Sequence, residues 1–190
     1  MPSLQAIPRA AQRDEPWANG AGTTTVILRE PDGTDWRVRV SVAKVEHAGP
    51  FSELPGTRRA LVPLDAPMTL RFAGGNELHA ARLGTLLFDG SPAPAGVLPE
   101  GPTRDFNLML RGDARGEVLP RTLVDSMVLP PEPGVRWLVY LDSGHAVLHV
   151  AAGQSLALNP GDAVVVSADG GATRTLIEGA GEIVLVRLYA

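Results

Sequence analysis

The amino-acid sequence predicts an all-β protein. Short apolar or alternating runs are separated by turn signals, a pattern typical of sandwiches and barrels. Glycine (21 residues) and proline (17 residues) are spread through the 190-residue chain, and no stretch is strongly helical. The predicted strands are Thr23–Arg29, Trp36–Val42, Ala60–Leu64, Met68–Phe72, Asp105–Leu110, Trp137–Leu141, Ala146–Val150, Ser155–Leu158, Ala163–Val166 and Ile183–Leu188.

Turn and loop signals lie between these strands. The Asp-Gly pairs Asp32-Gly33, Asp89-Gly90 and Asp169-Gly170 are natural hairpin or loop corners. The segment Ser91–Thr103 is rich in proline, alanine and glycine, so it is predicted to be a loop. Residues 130–134 (Pro-Pro-Glu-Pro-Gly) are predicted to form a stiff connector.

A weak internal repeat supports a division of the chain into two halves. Segments beginning at Pro55 and at Pro133 carry Pro-Gly-x-Arg, Leu-Val, Leu-Asp and Asp-Gly landmarks in the same order. Each segment has the size of a cupin barrel, and Leu156–Val166 resembles the second cupin motif, in which Pro-Gly-Asp turns the chain. We therefore expect a bicupin, two packed cupin-like halves of the jelly-roll or β-barrel type, residues 1–115 and 116–190, in one compact unit.

Charge and composition exclude several classes of partner. Seventeen Lys+Arg against twenty-one Asp+Glu give a formal charge of −4, whereas nucleic-acid binding usually needs a basic face. The absence of cysteine excludes disulfides, thiolate catalysis and cysteine-ligated zinc. The N-terminus lacks the apolar stretch of a secretory signal, and no apolar run approaches the roughly 20 residues of a membrane span. We expect a cytoplasmic protein with no membrane or nucleic-acid partner.

The residue types needed for metal, nucleophilic or phosphoryl chemistry do not occur in recognisable patterns. The four histidines (His47, His79, His145 and His149) form no His-x-His pair, and none follows the Pro160-Gly161-Asp162 turn at the cupin spacing. No Gly-x-Ser-x-Gly elbow is present, and the run from Asn19 to Gly22 lacks the lysine of a phosphate loop. The sequence therefore predicts no catalytic residue, no metal ligand and no cofactor.

Polar side chains alternate with apolar ones in two predicted strands. Because successive side chains point to opposite faces of a sheet, two sets should each share one face: Arg37, Arg39 and Ser41, and then Asp105, Asn107, Met109 and Arg111. These faces could be solvent-exposed, which is common in antiparallel sheets. Alternatively they line a barrel interior, where arginine would donate paired hydrogen bonds to a carboxylate and asparagine would read an amide or formyl group.

Four motifs in order resemble the HutD/Ves family. They are Trp17-Ala-Asn19-Gly20-Ala-Gly22-Thr-Thr24, Trp36-Arg37-Val-Arg39-Val-Ser41-Val-Ala43, Gly49-Pro50-Phe51-Ser52-Glu-Leu-Pro55-Gly56-Thr-Arg58-Arg59 and Asp105-Phe106-Asn107-Leu108-Met109-Leu-Arg111. The resemblance implies a two-lobed cupin fold and, for the HutD branch, a role near histidine utilisation with formylglutamate as the suggested ligand. The Ves branch is linked to stress response, and the sequence does not choose between the branches.

The resemblance also implies a set of ligand-binding residues. Trp17 and Phe51 could equally be core residues, and Arg59 could pair with Asp105 and merely join two strands. The candidates are Trp17, Asn19, Arg39, Ser41, Phe51, Ser52, Arg59, Asn107 and Arg111.

Three functions remain open at this point. The leading hypothesis is a non-catalytic protein that binds a small dicarboxylic or N-acylated amino acid. The alternative is a cupin enzyme, metal-dependent or metal-free, acting on a small acidic substrate through Glu46, His47, Glu77 or His79. The third is a structural module that forms a homodimer through an open sheet edge.

Overall fold

Two compact units make up the chain in the computed structural model, which describes residues 3–17, 22–150, 153–167 and 174–190. The N-terminal unit is Gln12–Ala114, and the C-terminal unit combines Met1–Ala11 with Arg115–Ala190. Within the described ranges the regular structure is β-strand apart from one 3-10 turn at Arg9–Ala11. The all-β prediction is therefore confirmed. Those ranges contain no helix that is long and apolar enough to cross a membrane.

The N-terminal unit contains two antiparallel sheets. One has the order β2-β3-β4-β11-β6-β9, and the other has the order β5-β10-β7-β8. Its strands are β2 (Arg13–Pro16), β3 (Thr23–Glu30), β4 (Val38–Val45), β5 (Gly49–Pro50), β6 (Thr57–Pro63), β7 (Met68–Arg71), β8 (Glu77–Ala80), β9 (Leu86–Asp89), β10 (Ala95–Val97) and β11 (Thr103–Arg111).

An apolar core fills part of the N-terminal unit. Its buried members come from both sheets, and aromatic side chains pack against them. The buried residues are Val45, Leu61, Met68, Leu70, Ala80 and Leu86, and the partly buried ones are Trp17, Phe51, Phe72, Leu78, Phe88 and Leu98.

The C-terminal unit has one sheet of the order β1-β15-β13-β16-β12, with β14 paired to β13. Its core is apolar and includes Trp137, Val139, Ile183 and Leu185. Its strands are β1 (Ser3–Ile7), β12 (Arg115–Leu129), β13 (Val135–Val150), β14 (Gln154–Leu158), β15 (Ala163–Ser167) and β16 (Thr175–Tyr189). Pairing of β1 with β15 places Ser3–Ile7 in this sheet, and the division into halves at 115/116 stays a prediction.

A single offset in residue number relates the strand pairing of the two units. Arg58 pairs with Asp89, and adding 78 to both numbers gives Arg136 and Ser167, which also pair. The same addition converts the β7–β8 ladder into β13–β14, β11–β6 into β13–β16, and β11–β4 into β12–β16. The repeated segments that begin at Pro55 and Pro133 are therefore also equivalent in strand register.

Strand β12 was missed by the sequence analysis, as were β1, β2, β8 and β9. Pro120 lies inside β12, and proline cannot donate to a strand ladder. The strand tolerates it because β12 is the last strand in its sheet and pairs on one side with β16. The segments predicted as two strands at Trp137–Leu141 and Ala146–Val150 form one strand, β13. The predicted loop Ser91–Thr103 contains β10, and Asp169-Gly170 lies outside the described residues.

Candidate functional site

The polar face of β4 and β11 is buried inside the N-terminal unit. Asn107 pairs with Ser41 on β4 and with Leu61 on β6, so these three side chains share a face. Exposure is 0% for Asp105, 1% for Ser41, 2% for Asn107 and 5% for Arg59. The solvent-exposed interpretation is therefore wrong for Ser41, Asp105 and Asn107.

Arg59, Asn107 and Asp105 form a hydrogen-bonded chain across β6 and β11. The Arg59 Nη2 donates to Asn107 Oδ1 at 2.7 Å. The Asn107 Nδ2 donates in turn to Asp105 Oδ1 at 2.5 Å. Asn107 therefore joins the two charged groups that the sequence considered as a direct pair. A buried polar chain of this kind needs every member satisfied, because an unpaired polar group is costly in a low-dielectric interior.

Two aromatic rings enclose the Arg59 guanidinium. Its Cζ lies 5.1 Å from the centroid of Phe51 and 4.9 Å from that of Phe88. Both distances fall in the range of cation–π attraction. Burial lowers the Arg59 pKa to about 10, with Asp105 opposing and Arg39 reinforcing the effect, so Arg59 is charged at neutral pH. The sequence left open whether Phe51 is a core residue or a platform for a ligand. Phe51 packs against the apolar core and also contacts this cation.

A second cationic group lies on the same sheet face, where Glu15 bridges two arginines. Its carboxylate is 2.6 Å from Arg29 Nη2 and 3.1 Å from Arg39 Nη2. The Arg39 side chain is 15% exposed, and its Nη1 lies 3.8 Å from the Met109 sulfur. Burial lowers the Arg39 pKa, Glu15 opposes that effect, and the positive charges of Arg29 and Arg111 reinforce it.

Arg111 is held at the end of the same face by three contacts. Its Cζ lies 3.7 Å from the centroid of Trp36. Its Nε donates to Thr57 Oγ1 at 3.1 Å, and its Nη1 donates to the Thr34 carbonyl at 3.3 Å. These contacts fix the guanidinium, so Arg111 contributes positive charge from a set position.

The site carries more positive than negative charge. Four arginines (Arg29, Arg39, Arg59 and Arg111) interact there with two carboxylates (Glu15 and Asp105), a surplus of two positive charges. Burial raises the Asp105 pKa to about 7, against the opposing effects of Arg59, the Asn107 amide and the Ala43 backbone. The surplus grows when Asp105 is protonated. Arg59 is buried, and the Arg29 and Arg39 side chains are 17% and 15% exposed. Excess charge with so little access to solvent is costly unless it is paired, and an incoming anion would pair it.

Several buried polar atoms of this face have no protein partner. They belong to adjacent strands of one sheet and include both donors and an acceptor. Buried polar groups in native proteins are nearly always hydrogen-bonded to protein, ordered water or ligand, so this concentration marks a place for a polar occupant. The atoms are Ser41 Oγ, Arg39 Nε, Arg59 Nε, Arg29 Nε and Asp105 Oδ2.

The remaining candidates have different surroundings. Trp17 packs against the core, and its Nε1 donates to Thr24 Oγ1 at 2.8 Å. Ser52 is exposed beside Phe51. Asn19 lies outside the described residues. Arg37 immediately precedes β4, which begins at Val38, so the structure does not place it in one strand with Arg39. Its side chain is 55% exposed and forms an ion pair with Asp113.

The histidines and acids of the enzyme hypothesis are not gathered into a metal site. Among the described residues no three His, Asp or Glu side chains could hold one ion. His79 Nδ1 is 2.9 Å from Thr69 Oγ1, and its Nε2 is 3.5 Å from Glu77. Glu77 in turn pairs with Arg71 at 2.6 Å. Glu46 and His47 are exposed after β4.

Sequence reasoning missed Glu15, Arg29 and Phe88. The register of β3 against β4 shifts between Val26 and Leu28, so simple alternation assigns residues beyond that bulge to the wrong face. Phe88 lies in β9, which was not predicted. Glu15 is two residues before the first family motif, and its acidic charge beside a set of arginines is a signal that could have been used.

The comparisons with known proteins agree with this architecture. The HutD family model matches residues 9–185. A conserved protein of unknown function from Pseudomonas aeruginosa PAO1 is 22% identical with a TM-score of 0.87, over 99% of this chain and 100% of that one. HutD from Pseudomonas fluorescens SBW25, in a formate condition, is also 22% identical, with a TM-score of 0.74 over 99% and 100%.

A more distant structural match supports a cupin-like β fold. The bacterial pirin YhhW from Escherichia coli, in complex with nickel(II), is 8% identical with a TM-score of 0.70, over 98% of this chain and 99% of that one. No curated protein matches the sequence. The family model spans most of the chain, and the chain belongs to the HutD family.

Proposed function

We propose that this protein is a non-catalytic, cytoplasmic binder of a small acidic metabolite, which it holds on the cationic face of the N-terminal unit. The observation that carries the proposal is the partly buried surplus of arginine over carboxylate on β2, β3, β4, β6 and β11. Arginine suits a carboxylate because its planar fork donates parallel hydrogen bonds. Unpaired Nε atoms of Arg39 and Arg59 remain available for that purpose.

The C-terminal unit supplies an internal comparison. Adding 78 to the numbers of Arg59, Asp105 and Asn107 gives Trp137, Ile183 and Leu185, which all belong to an apolar core. The same strand register is therefore compatible with a dry interior. Polar residues at the N-terminal positions are not required by the strand pairing, and a ligand is a reason for their presence.

The shared offset also supports a duplicated, two-lobed cupin architecture. Four ladders of one unit have counterparts of identical register in the other. In this proposal the two lobes are copies of one module, and the polar site is kept in the first copy.

The HutD resemblance suggests N-formyl-L-glutamate as the ligand and histidine utilisation as the setting. That molecule carries two carboxylates and an amide, and the site offers two cationic groups around Arg39 and Arg59. Asn107 is less available for the formyl group than the sequence implied, because its amide oxygen and nitrogen already bond Arg59 and Asp105. Ser41, with an unpaired Oγ, is the better polar contact.

Calorimetric titration of the Arg39→Ala and Arg37→Ala variants with N-formyl-L-glutamate tests the proposal. Arg39→Ala should weaken binding roughly 10- to 150-fold, the equivalent of about 1.5–3 kcal/mol for a lost charge-assisted hydrogen bond. Arg37→Ala removes an equal charge two residues away in sequence, at an exposed position just before β4, and this variant should bind as the unaltered protein does. Equal affinity of folded Arg39→Ala and Arg37→Ala proteins would reject the site.

A metal-free enzyme is the alternative that a specific observation favours. A buried acid whose pKa is raised to about 7 could act as a general acid or base beside an anion. Incubation of N-formyl-L-glutamate with the protein, followed by mass spectrometry, separates the two functions. Recovery of intact acid supports the binder, and protein-dependent release of formate that is lost in Asp105→Asn supports the enzyme.

A further inference from the structure

The hydrogen bonds around Asn107 have a fixed direction. A guanidinium has donors and no acceptor, so the Asn107 atom that faces Arg59 must be its carbonyl oxygen. The amide nitrogen then faces Asp105 and donates to Oδ1. Asp105 Oδ2 is buried and has no hydrogen-bond partner, and the Ala43 backbone N–H acts on this carboxylate in favour of its ionised form.

The protonation state of Asp105 decides what that free oxygen offers. Ionised, Oδ2 is an acceptor whose negative charge repels an anion held by Arg39 and Arg59. Protonated, Asp105 carries its proton on Oδ2, because Oδ1 accepts from Asn107. The neutral acid would then donate a hydrogen bond to an anionic oxygen instead of repelling it.

Charged groups on neighbouring strands set the balance between these states. Arg59 on β6 favours the ionised form, and Arg39 on β4, Arg29 on β3 and Glu15 on β2 form the adjacent charged group. Arg111 lies farther along β11 itself. From the facing sheet, β7 and β8 contribute Met68, Leu70 and Ala80 to the core, while the His79 side chain is 65% exposed and Glu77 pairs with Arg71.

Complete burial is the largest effect on Asp105, and it raises the pKa to about 7. An anion bound beside it would neutralise part of the arginine charge that favours ionisation, and would add like charge. Both changes raise the pKa of Asp105 further, so binding and protonation favour each other.

We propose that Asp105 determines the specificity of the site for anions: it binds them as a neutral carboxylic acid, with Oδ2–H donating to a ligand oxygen. Above neutral pH one proton moves from solvent to Asp105 as each anion binds. This inference rests on the proposed anion-binding function.

The Asp105→Asn variant provides a direct test. Asn107 still presents its N–H to position 105, so the new side chain must turn its oxygen toward Asn107 and its NH2 toward the ligand. It therefore imitates the protonated acid without titrating. Binding of N-formyl-L-glutamate should weaken about tenfold between pH 6 and pH 8 in the unaltered protein, because a site that must be protonated follows a pKa of about 7. In Asp105→Asn the affinity should be independent of pH and equal the tighter value.

Calorimetry at pH 8 in triethanolamine and in Tris, two cationic buffers that differ in ionisation enthalpy, should show uptake of close to one proton per ligand. Asp105→Asn should show none. Asp65→Asn is the matched control, because Asp65 pairs with Arg104 at the surface and should leave the pH dependence intact. In the ligand-free protein, the infrared carbonyl stretch of a protonated carboxylic acid should be present at pH 6 and absent from Asp105→Asn.

Two results would overturn the inference while leaving anion binding in place. Affinity that is constant or rises from pH 6 to pH 8 would mean that Asp105 does not bind the anion as a neutral acid. Loss of binding in a folded Asp105→Asn protein would mean that the ligand needs an acceptor at Oδ2. Absence of binding at every pH would instead reject the proposed function, and this inference with it.

Discussion

Arg59 and Asn107 are joined by a 2.7 Å hydrogen bond between diagonal positions of the β6–β11 ladder. The bond fixes the orientation of an amide whose other end holds Asp105. Three residues from two strands therefore behave as one polar unit on the buried face of the sheet. Their stability, ionisation and binding should be coupled, since members of one buried network rarely act additively.

Asn107→Leu should destabilise the protein, because it leaves the Arg59 guanidinium and Asp105 Oδ1 buried with fewer partners. The expected loss in unfolding free energy is about 2–4 kcal/mol, from unsatisfied buried and partly charged groups. Urea unfolding measures it. The combined variant Arg59→Leu, Asp105→Leu, Asn107→Leu should regain much of that loss, because the equivalent positions of the C-terminal unit are apolar. A triple variant that is less stable than Asn107→Leu would contradict this account.

Glu15→Gln should strengthen anion binding. Glu15 occupies donors of Arg29 and Arg39, so its carboxylate competes with an incoming one. The pair is partly exposed, which limits the gain to about two- to fivefold in Kd. Titration with glutarate gives the value. Weaker binding than in the unaltered protein would show that Glu15 positions the arginines rather than competing.

The ligand-free protein should lose stability as the pH rises from about 4 to 7. The pKa of Asp105 is about 7 in the folded protein, against an ordinary value of 3.8, so between those two pH values the folded state holds more protons than the unfolded state. Unfolding free energy then falls with pH, by at most about 4 kcal/mol, and levels off above pH 7. Urea unfolding of Asp105→Asn over the same range should lack this component. If the unfolding free energy fell equally with pH in the unaltered protein and in Asp105→Asn, the pH dependence would come from groups other than Asp105.

Gly181→Ala tests a close approach in the C-terminal unit. Gly181 has φ +137°, and a Cβ there would overlap the Ser143 carbonyl oxygen. Because the backbone must move to make room, the free energy of unfolding of the variant should fall by more than about 3 kcal/mol, or the variant should fail to fold. Gly153→Ala is the control: Gly153 has φ +78° but nothing within 4 Å, and should cost about 1–2 kcal/mol. Thermal unfolding compares them, and similar losses would mean that the contact is not rigid.

The sequence predicted the all-β class, most strand positions and the shared faces of β4 and β11, because alternation and turn chemistry are local. It did not predict that the face of Arg39 and Asn107 is buried, since that depends on which sheet packs against it. Because β3 contains a bulge, counting alternate residues along the strand does not place Arg29 on the polar face. In the sequence, Pro120 predicts an interruption of the strand. A strand is compatible with this proline because β12 lies at the edge of its sheet.

The structure brings some residues of the family motifs onto one face of a sheet and gives others a different role. Arg39, Ser41, Arg59 and Asn107 lie on one face of the sheet formed by β4, β11 and β6, and their role in ligand binding stays a prediction. Asn107 proves to be a connecting group whose amide is already engaged. The sequence placed Asp105 on the polar face of its strand and as a possible partner of Arg59, but not in a ligand-binding role, because its complete burial and raised pKa are properties of the folded chain.

Thermal unfolding in the presence of N-formyl-L-glutamate, glutarate and related dicarboxylates, with and without a chelator, tests the central claim most directly. A ligand at about 100 times its Kd adds roughly 2.7 kcal/mol, which for a chain of this size raises Tm by very roughly 5–10 °C. We predict such a rise with at least one acid, unaffected by chelator and lost in Arg39→Ala. No rise with any acid, together with a loss of stability on adding chelator, would contradict the account and indicate a metal-dependent protein.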